Sequence, residues 1–468
     1  MPQARFYNTR TRSVEPFAPG DPDGVVRYYA CGPTVYHDAH IGNLRTYVFE
    51  DILRRTLEYA GYQVRHVMNI TDVGHLVSDA DTGEDKMQQA LEREGLPATA
   101  ESLQHLADRY TQSFLADLAA LNILQPQVMP KATGHVSQMI AMIRQLEANG
   151  YTYQTPLAVY FDVTKFPTYT VLSGQALQDK VVGARDDIAI DAAKRQPADF
   201  ALWFKLAGRY RNHVMHWPSP WGEGFPGWHI ECSAMSQAHL GFPFDIHCGG
   251  VDHIAVHHTN EIAQNEGAGG TTTVRFWLHG EFLDLGAEKM AKSAGTFLRL
   301  DDVVQRGFDP LAFRYLCLNT HYRQKLNFSW EAIAGAAQAF AKLQAAVAQS
   351  RVGPIGCAGY EQRFVEAIAD DLNLPKALGV TWELVGDPEM PGSAKRRSLE
   401  QFDRVLGLGL ATVTAVEVPA AVRQLVAERD SARRANNWAR ADSLRRRVEE
   451  AGFTVEDTEA GPRIKPRR

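Results

Sequence analysis

The sequence predicts an α/β protein built on a parallel sheet, and three observations carry that reading. Val25 to Cys31 (VVRYYAC) is a β-branched and aromatic run, and Tyr62 to Ile70 (YQVRHVMNI) is another. Between them apolar residues recur at helical spacing. A strand, loop, helix, strand unit of this size crosses over to a parallel neighbour, and such sheets bind ligands at the carboxyl ends of their strands. The third observation is size: 468 residues, 45% apolar and 22% charged, suit about three folded domains with a large core.

Each element has its own signal. Val25 to Cys31 is followed by the turn-like Gly32-Pro33-Thr34. From about Asn43 the positions Leu44, Tyr47, Val48, Ile52, Leu53 and Leu57 share one helix face, and Gly61 supplies the stop. Residues 84–150 read as helical, with breaks around Gly95-Leu96-Pro97 and from Pro126 to Pro130. Residues 151–215 read as strand-rich and irregular, which suits an insertion in the sheet domain, taken as about 122–215. Phe244 to His247 is a short strand running into Cys248-Gly249-Gly250, His257 to Gly267 a helix, and Val274 to Leu278 a strand. From about Ser329 the character changes to Ala-rich helical segments, 329–350, 359–372 and 394–408, which indicate a bundle. Residues 411–420 form a helix-poor linker, and two helices follow near 421–436 and 438–451, the second stopped by Gly452.

Composition excludes several classes. The apolar fraction rules out a largely disordered chain. No apolar run approaches the ~20 residues that span a bilayer. The start, Met1-Pro2-Gln3-Ala4-Arg5-Phe6, has no apolar signal core, so a cytoplasmic enzyme with no membrane partner is expected. The net charge is −6, but Ala421 to Arg468 holds 12 Lys and Arg against 8 Asp and Glu, a net of +4. A basic tail on an acidic body keeps a nucleic-acid partner open. Five cysteines, Cys31, Cys232, Cys248, Cys317 and Cys357, are too sparse for a disulfide framework, and reduced thiols are free to pack, ligate metal or react.

Three motifs carry chemistry. His40-Ile41-Gly42-Asn43 opens the first helix, where free N–H groups and positive potential favour an anion. An imidazole and an amide can donate to phosphate oxygens there, and Gly42 lets the backbone approach; a capping histidine is the plainer alternative. Glu288 to Gly295 (EKMAKSAG) places Lys289 and Lys292 among small residues, a cationic loop able to clamp charge on a transferring phosphate, or simply a solvated loop. Cys31, Cys232, His257 and Glu261 offer two thiolates, an imidazole and a carboxylate, a set that suits tetrahedral zinc. His257 and Glu261 stand four apart on one helix face, but 201 residues separate the two cysteines, and His247, Cys248, His253 and His258 are rival ligands.

The ordered combination of YYACGPTVYHDAHIGN, MNITDVGH, WPSPWGEGFPGWHIECSAMS, DIHCGGVDHIAVHHTNEIAQ and EKMAKS resembles the cysteinyl-tRNA synthetase family of class I. The likeness continues into the ending RRANNWARADSLRRRVEEAGFTVEDTEAGPRIK. The resemblance implies a Rossmann-like catalytic domain over 1–300 with an inserted connective region, and a stem-contact and helical bundle over 301–410. After the linker it implies a small anticodon-recognition segment over 421–468. It implies Zn2+ held by Cys31, Cys232, His257 and Glu261, one ion per chain. His40, Asn43, Lys289 and Lys292 would be catalytic; Gly42 and Asp252 would join them on ATP, and Thr71 and Trp228 would line the cysteine pocket. ATP with Mg2+, L-cysteine and tRNA(Cys) are the implied substrates, and a monomer is expected. Cys248, His247 and His253 then become packing or supporting residues. Three positions depart from the family pattern: Asn43 replaces the last histidine of HIGH, Ala291 the central serine of KMSKS, and Cys248 a glycine beside the metal ligands. Two rivals share parts of this pattern. A ligase joining cysteine to an amino sugar would need neither bundle nor basic end, and a non-catalytic zinc protein would not need both signature lysines.

Overall fold

A computed structural model describes residues 2–73, 86–175, 191–285, 297–414, 418–458 and 461–466. An antiparallel hairpin, β1 (Arg5–Asn8) and β2 (Ser13–Pro16), precedes the main sheet. β3 (Val25–Ala30) leads through α1 (Ile41–Tyr59) to β4 (Gln63–Met68), and the two strands pair in parallel as expected of the crossover. Helices α2 (Lys86–Glu94), α3 (Ala100–Ala120) and α4 (Val136–Ala148) fill the next segment. A separate antiparallel sheet follows, β5 (Thr152–Gln154), β6 (Ala158–Phe161), β7 (Phe200–Lys205) and β8 (Gly224–Pro226). This sheet is not complete at residue 215: β8 lies beyond that limit and pairs with β7.

The chain then returns to the main sheet through α5 (Trp228–Leu240), β9 (Phe244–Gly250), the short α6 (Asp252–Ala255), α7 (His257–Gly269) and β10 (Val274–Gly280). The strand order is β10–β9–β3–β4, all parallel. The order reverses between β3 and β9, so a crevice opens at their carboxyl ends. β9 runs on through Cys248, Gly249 and Gly250 rather than ending at His247, because these residues keep pairing with β10. α5 had no periodic signal: in WHIECSAMSQAHL nearly every face is buried, so polar and apolar residues do not segregate.

Beyond the sheet lie β11 (Leu283–Asp284), α8 (Leu300–Gln305), α9 (Pro310–Leu318) and β12 (Leu326–Asn327). The bundle contains α10 (Trp330–Ala348), α11 (Ala358–Ala369), α12 (Leu374–Gly386) and α13 (Gly392–Leu406). α12 falls between the predicted segments, yet its start carries readable signals, an Asn373 cap and a proline in the first turn. The C-terminal module pairs α14 (Ala420–Arg434) and α15 (Trp438–Glu450) with an unpredicted hairpin, β13 (Phe453–Thr458) and β14 (Gly461–Pro466). Its core is small: Val422, Val426, Val448 and Val455. Among the described residues no helix is long and apolar enough to cross a membrane.

Strand alternation sorts the core into two faces. Val26, Tyr28 and Ala30 of β3 pack toward α1, while Tyr29 and Cys31 pack toward α5 and α7. α1 is buried on nearly all sides between sheet and bundle, and so holds charges that need partners. Asp51 accepts from Arg314 Nη2 at 2.6 Å, Arg55 Nε at 2.7 Å and the Leu124 N–H at 2.9 Å. Arg314 also donates to the carbonyls of Leu406 at 2.7 Å and Leu121 at 3.0 Å. Burial would raise the Asp51 carboxyl, but Arg314 and Arg55 hold it below its ordinary range. One guanidinium therefore ties α1, α9, the 121–124 turn and the end of α13. Arg314→Met should lower stability by about 3–5 kcal/mol, since it strands a buried carboxylate and two carbonyls; chemical denaturation measures this, and a loss under about 1 kcal/mol would show that the joint is dispensable.

Candidate active site and metal centre

The crevice at the sheet's reversal point holds a cavity of about 320 Å³ lined by Cys31, His40, Asn43, Thr71, Trp228, Cys232, Asp252 and His257, among others. These residues come from six separate stretches of sequence, and each stretch lies at a strand end or a helix start. A larger crevice of about 1810 Å³, between the bundle and the C-terminal module, contains none of the predicted site residues.

Cys31 follows β3 directly, on the face turned toward α5 and α7. Gly32 next to it is required by close approach: a Cβ there would sit 1.7 Å from the Asn69 carbonyl oxygen. The loops after β3 and β4 are further tied by Val35 N–H to Thr71 O at 3.1 Å and Thr71 N–H to Pro33 O at 3.0 Å. Cys232 comes from α5, His257 and Glu261 from α7. All four are buried, and their ligand atoms lie within 4.8 Å of one another. The two sulfurs are 3.9 Å apart, close to the ~3.8 Å edge of a tetrahedron with 2.3 Å metal–sulfur bonds. His257 Nε2 is 3.1 Å from Glu261 Oε1, and Cys31 Sγ is 3.8 Å from the same oxygen. The spacing and donor chemistry fit a metal ion.

A second set, Cys31, His247, His258 and Glu261, meets the same distance test. His258 Nε2 lies 3.3 Å from Cys31 Sγ, so this set shares a sulfur and a carboxylate with the first. His247 Nε2 lies 2.9 Å from Glu261 Oε2, and His258 Nδ1 lies 2.7 Å from His279 Nε2. His279 Nδ1 in turn meets Thr9 Oγ1 at 2.7 Å. Cys31, Cys232 and His257 line the cavity, whereas His247 and His258 do not. The set with Cys232 and His257 is therefore the one that opens onto bound substrate. Cys248 stands close to the cluster, as expected, since its carbonyl accepts from the Cys31 N–H at 3.1 Å, but β9 alternation sends its side chain to the α1 face, beside Tyr28 and Glu50.

The clustered side chains shift one another's charges. Burial would raise the Glu261 carboxyl, but His247 and His257 hold it far below its ordinary range. Burial would lower His257, yet Glu261 and the Cys232 sulfur push it up to about 10. The Cys31 thiol, donating to Cys232, brings that sulfur down to about 6, while burial and Cys232 push Cys31 well up.

At the helix end, His40 caps α1. Its Nδ1 accepts from the Asn43 N–H at 3.0 Å, and Asn43 Oδ1 accepts from the His40 N–H at 3.3 Å. Because Nδ1 accepts in this reciprocal cap, Nε2 carries the proton of a neutral His40, and the Asn43 amide keeps its nitrogen as a donor. Gly42 lies in the first turn between them. Trp228 stacks on His257 with ring centroids 4.2 Å apart. Asp252 opens α6 with its side chain 59% exposed. Lys289, Ala291 and Lys292 lie outside the described residues. Glu231, Asn69 and His279 were missed as site residues by sequence reasoning; only Glu231 had a signal, an acid beside Cys232 in the first turn of a buried helix.

In the C-terminal module Trp438 is 57% exposed, so it is not the module's core anchor. The Arg433 guanidinium lies 5.7 Å from its ring centroid. Arg433 also pairs with Asp457 at 2.5 Å, as does Arg429 through two 2.8 Å bonds, so part of the basic charge is internally neutralised.

Residues 18–338 match the family model described as the tRNA synthetases class I (C) catalytic domain, and residues 415–462 match the Cysteinyl-tRNA ligase anticodon binding domain. The chain is 49% identical over 467 residues to Cysteine--tRNA ligase 1 of Burkholderia lata, covering 99% of this chain and 97% of that protein. It is 41% identical to the Cysteine--tRNA ligase of Deinococcus radiodurans (99% and 97% covered) and 40% to that of Thermus thermophilus (98% and 98%). Among solved structures, the Mycobacterium tuberculosis methionyl-tRNA synthetase in complex with methionyl-adenylate is similar in fold, with a TM-score of 0.56 at 17% identity over 84% of this chain and 92% of that one.

Metal uptake by chelator-stripped protein should release about two protons per ion at pH 7, one from His257 and one from Cys31, since both must be deprotonated to ligate. The sign follows: His257 is raised, so protons compete below its value of about 10, and metal affinity rises with pH through neutrality. Calorimetry in buffers of different ionisation enthalpy counts these protons. Uptake independent of pH between 6 and 9 would show a different ligand set.

Proposed function

The chain belongs to the cysteinyl-tRNA synthetase family of class I, and from that premise we propose that it activates L-cysteine with ATP and transfers the cysteinyl group to tRNA(Cys). The single observation that carries the proposal is a two-sulfur metal cluster opening onto the same cavity as a histidine-capped helix start. The cysteine carboxylate attacks the α-phosphorus, an adenylate forms, and pyrophosphate leaves with Mg2+. Positioning and charge stabilisation do most of this work. His40 and Asn43 donate to phosphate oxygens from a helix start whose dipole already favours anions. Lys289 and Lys292 add positive charge, Gly42 allows close approach, and Asp252 accepts from the ribose. Thr71 and Trp228 hold the amino acid beside the metal ligands.

Cys31, Cys232, His257 and Glu261 would hold one Zn2+. When bound, the ion supplies a thiophilic contact for the substrate sulfur and none of comparable strength for a serine hydroxyl. A site built on a bond the analogue cannot make discriminates by ~10⁴ or more, so selection needs no editing step. His247 engages the second oxygen of Glu261, leaving Oε1 for the cluster.

The chain divides by role into a catalytic part over 1–300, a stem-contact and helical part over 301–410, a linker over 411–420 and an anticodon segment over 421–468. The match to an anticodon-binding family supports this division and argues against an amino sugar ligase, which needs no tRNA. The proposed setting is a cytoplasmic monomer.

Cysteine-dependent ATP–pyrophosphate exchange and charging of total tRNA test the proposal directly, with serine as the control. Exchange without charging would leave the amino sugar ligase; neither activity would leave a non-catalytic zinc protein. Cys232→Ser should lose most of the zinc and Cys248→Ser should keep it, read by metal quantification of the purified chains. A chain ending near Val418 should keep exchange but charge tRNA far more weakly, with a shallower salt dependence because fewer phosphates are neutralised. Trp438→Ala alone should reproduce part of that charging loss, as an exposed ring stacks on an unpaired base for about 1–3 kcal/mol.

A further inference from the structure

His135 stands immediately before α4 and His239 in the last turn of α5. Both are half-buried, and neither lines the active cavity. Their Nε2 atoms are 2.8 Å apart, with ring centroids 5.0 Å apart and the ring planes at 57°. The His135 ring is oriented from its other side, where Nδ1 lies 2.8 Å from the Lys131 carbonyl oxygen. A carbonyl only accepts, so Nδ1 carries the proton, and Nε2 of the neutral ring presents a lone pair toward His239. Burial, with His135 and Arg65 beside it, holds His239 below its ordinary range, so that ring is neutral at pH 7.

We infer that His135 and His239 form a metal site apart from the cysteine cluster, for a divalent first-row transition ion of the nickel and copper kind. A ring N–H held by a backbone carbonyl is the usual support of a metal-bound histidine, and His135 has it already. Two nitrogens bound at ~2.0 Å to one ion stand ~2.8 Å apart when cis on a square or octahedron, and ~3.3 Å apart on a tetrahedron. The observed separation is that of the cis pair, which nickel and copper favour. Among the described residues no Cys, Asp or Glu joins the two rings in a ligand group. The donors are therefore neutral nitrogens, which suit these ions and not the oxygen-seeking Ca2+ or Mg2+. Arg65 repels a cation here as it repels the imidazolium, so the ion is held by ligand bonds rather than by net charge. Bound there, it straps the far end of α5, the helix that supplies Cys232, to the start of α4. A single N–H to N hydrogen bond is the plainer use of the same contact. The inference does not depend on the cysteine-activating reading.

Titration of Ni2+ into the zinc-loaded full chain, followed by calorimetry with zinc release monitored, separates the two uses. The parent should take up one Ni2+ per chain and keep its zinc. His135→Ala and His239→Ala should each bind that ion at least about tenfold more weakly, since losing even a supporting group costs a metal site ~10–100-fold. His239→Gln keeps a hydrogen-bonding group at the pair without an imidazole, and it should lose the ion as His239→Ala does. Ni2+ should raise the melting temperature of the parent and leave that of the three variants unchanged, because only a chain that binds the ion is stabilised by it. Zinc content and circular dichroism of the variants should match the parent, which shows that they are folded. Parental nickel affinity in the variants would place the ion elsewhere and overturn the inference. A parent that binds no nickel, or takes it up only in exchange for zinc, would leave the contact a plain hydrogen bond and overturn it as well.

Discussion

The buried carboxylate of Glu261 sets the terms for one whole face of the sheet. A charge with no solvent must be surrounded by compensating groups, and here they come from both oxygens' sides: His257 at 3.1 Å from Oε1 and His247 at 2.9 Å from Oε2. Those histidines belong to α7 and β9, and the sulfurs that share the cluster belong to the end of β3 and to α5. Four elements are therefore drawn to one point by a single electrostatic requirement. A cation suits the site because it balances donors that would otherwise be buried together with too little compensating charge. Further histidines extend the arrangement, as His258 meets His279 and His279 meets Thr9 of the N-terminal hairpin.

The opposite face carries the second constraint. α1 begins at the cavity and is buried between sheet and bundle, and the Asp51–Arg314 pair welds it to the helices beyond. The capped helix start at the cavity is thereby fixed to the bundle. The C-terminal module is held differently. It has its own small valine core and its own Arg429–Asp457 clamp, so it is built as a unit that follows the linker rather than as part of the bundle.

Two of the departures from the family pattern have a structural account. Asn43 keeps the capping geometry, because its carbonyl oxygen accepts from the His40 N–H while its amide nitrogen remains a donor. Cys248 occupies the α1 face of β9, among apolar neighbours, where a small thiol packs as readily as it would ligate. Ala291 lies outside the described residues, and nothing in the structure explains it.

The sequence by itself determined the parallel sheet, the first crossover and the bundle, because their signals are local: alternation, helical spacing and stops within a few residues. It also carried the metal set and the phosphate-facing motif, though only through likeness to a family, since spacing alone left His247, Cys248, His253 and His258 open as rivals. The tertiary structure narrows them: the pleat of β9 turns the Cys248 side chain to the other face, and of the four rivals His253 alone lines the cavity with Cys31, Cys232 and His257. α5 was hidden because burial on nearly every face erases the periodicity that marks a surface helix. Glu231 meets Thr71 only through folding, since 160 positions separate them in the chain. Side chains converge at strand ends for reasons of sheet topology, and topology is a property of pairing between distant segments, which no local pattern encodes.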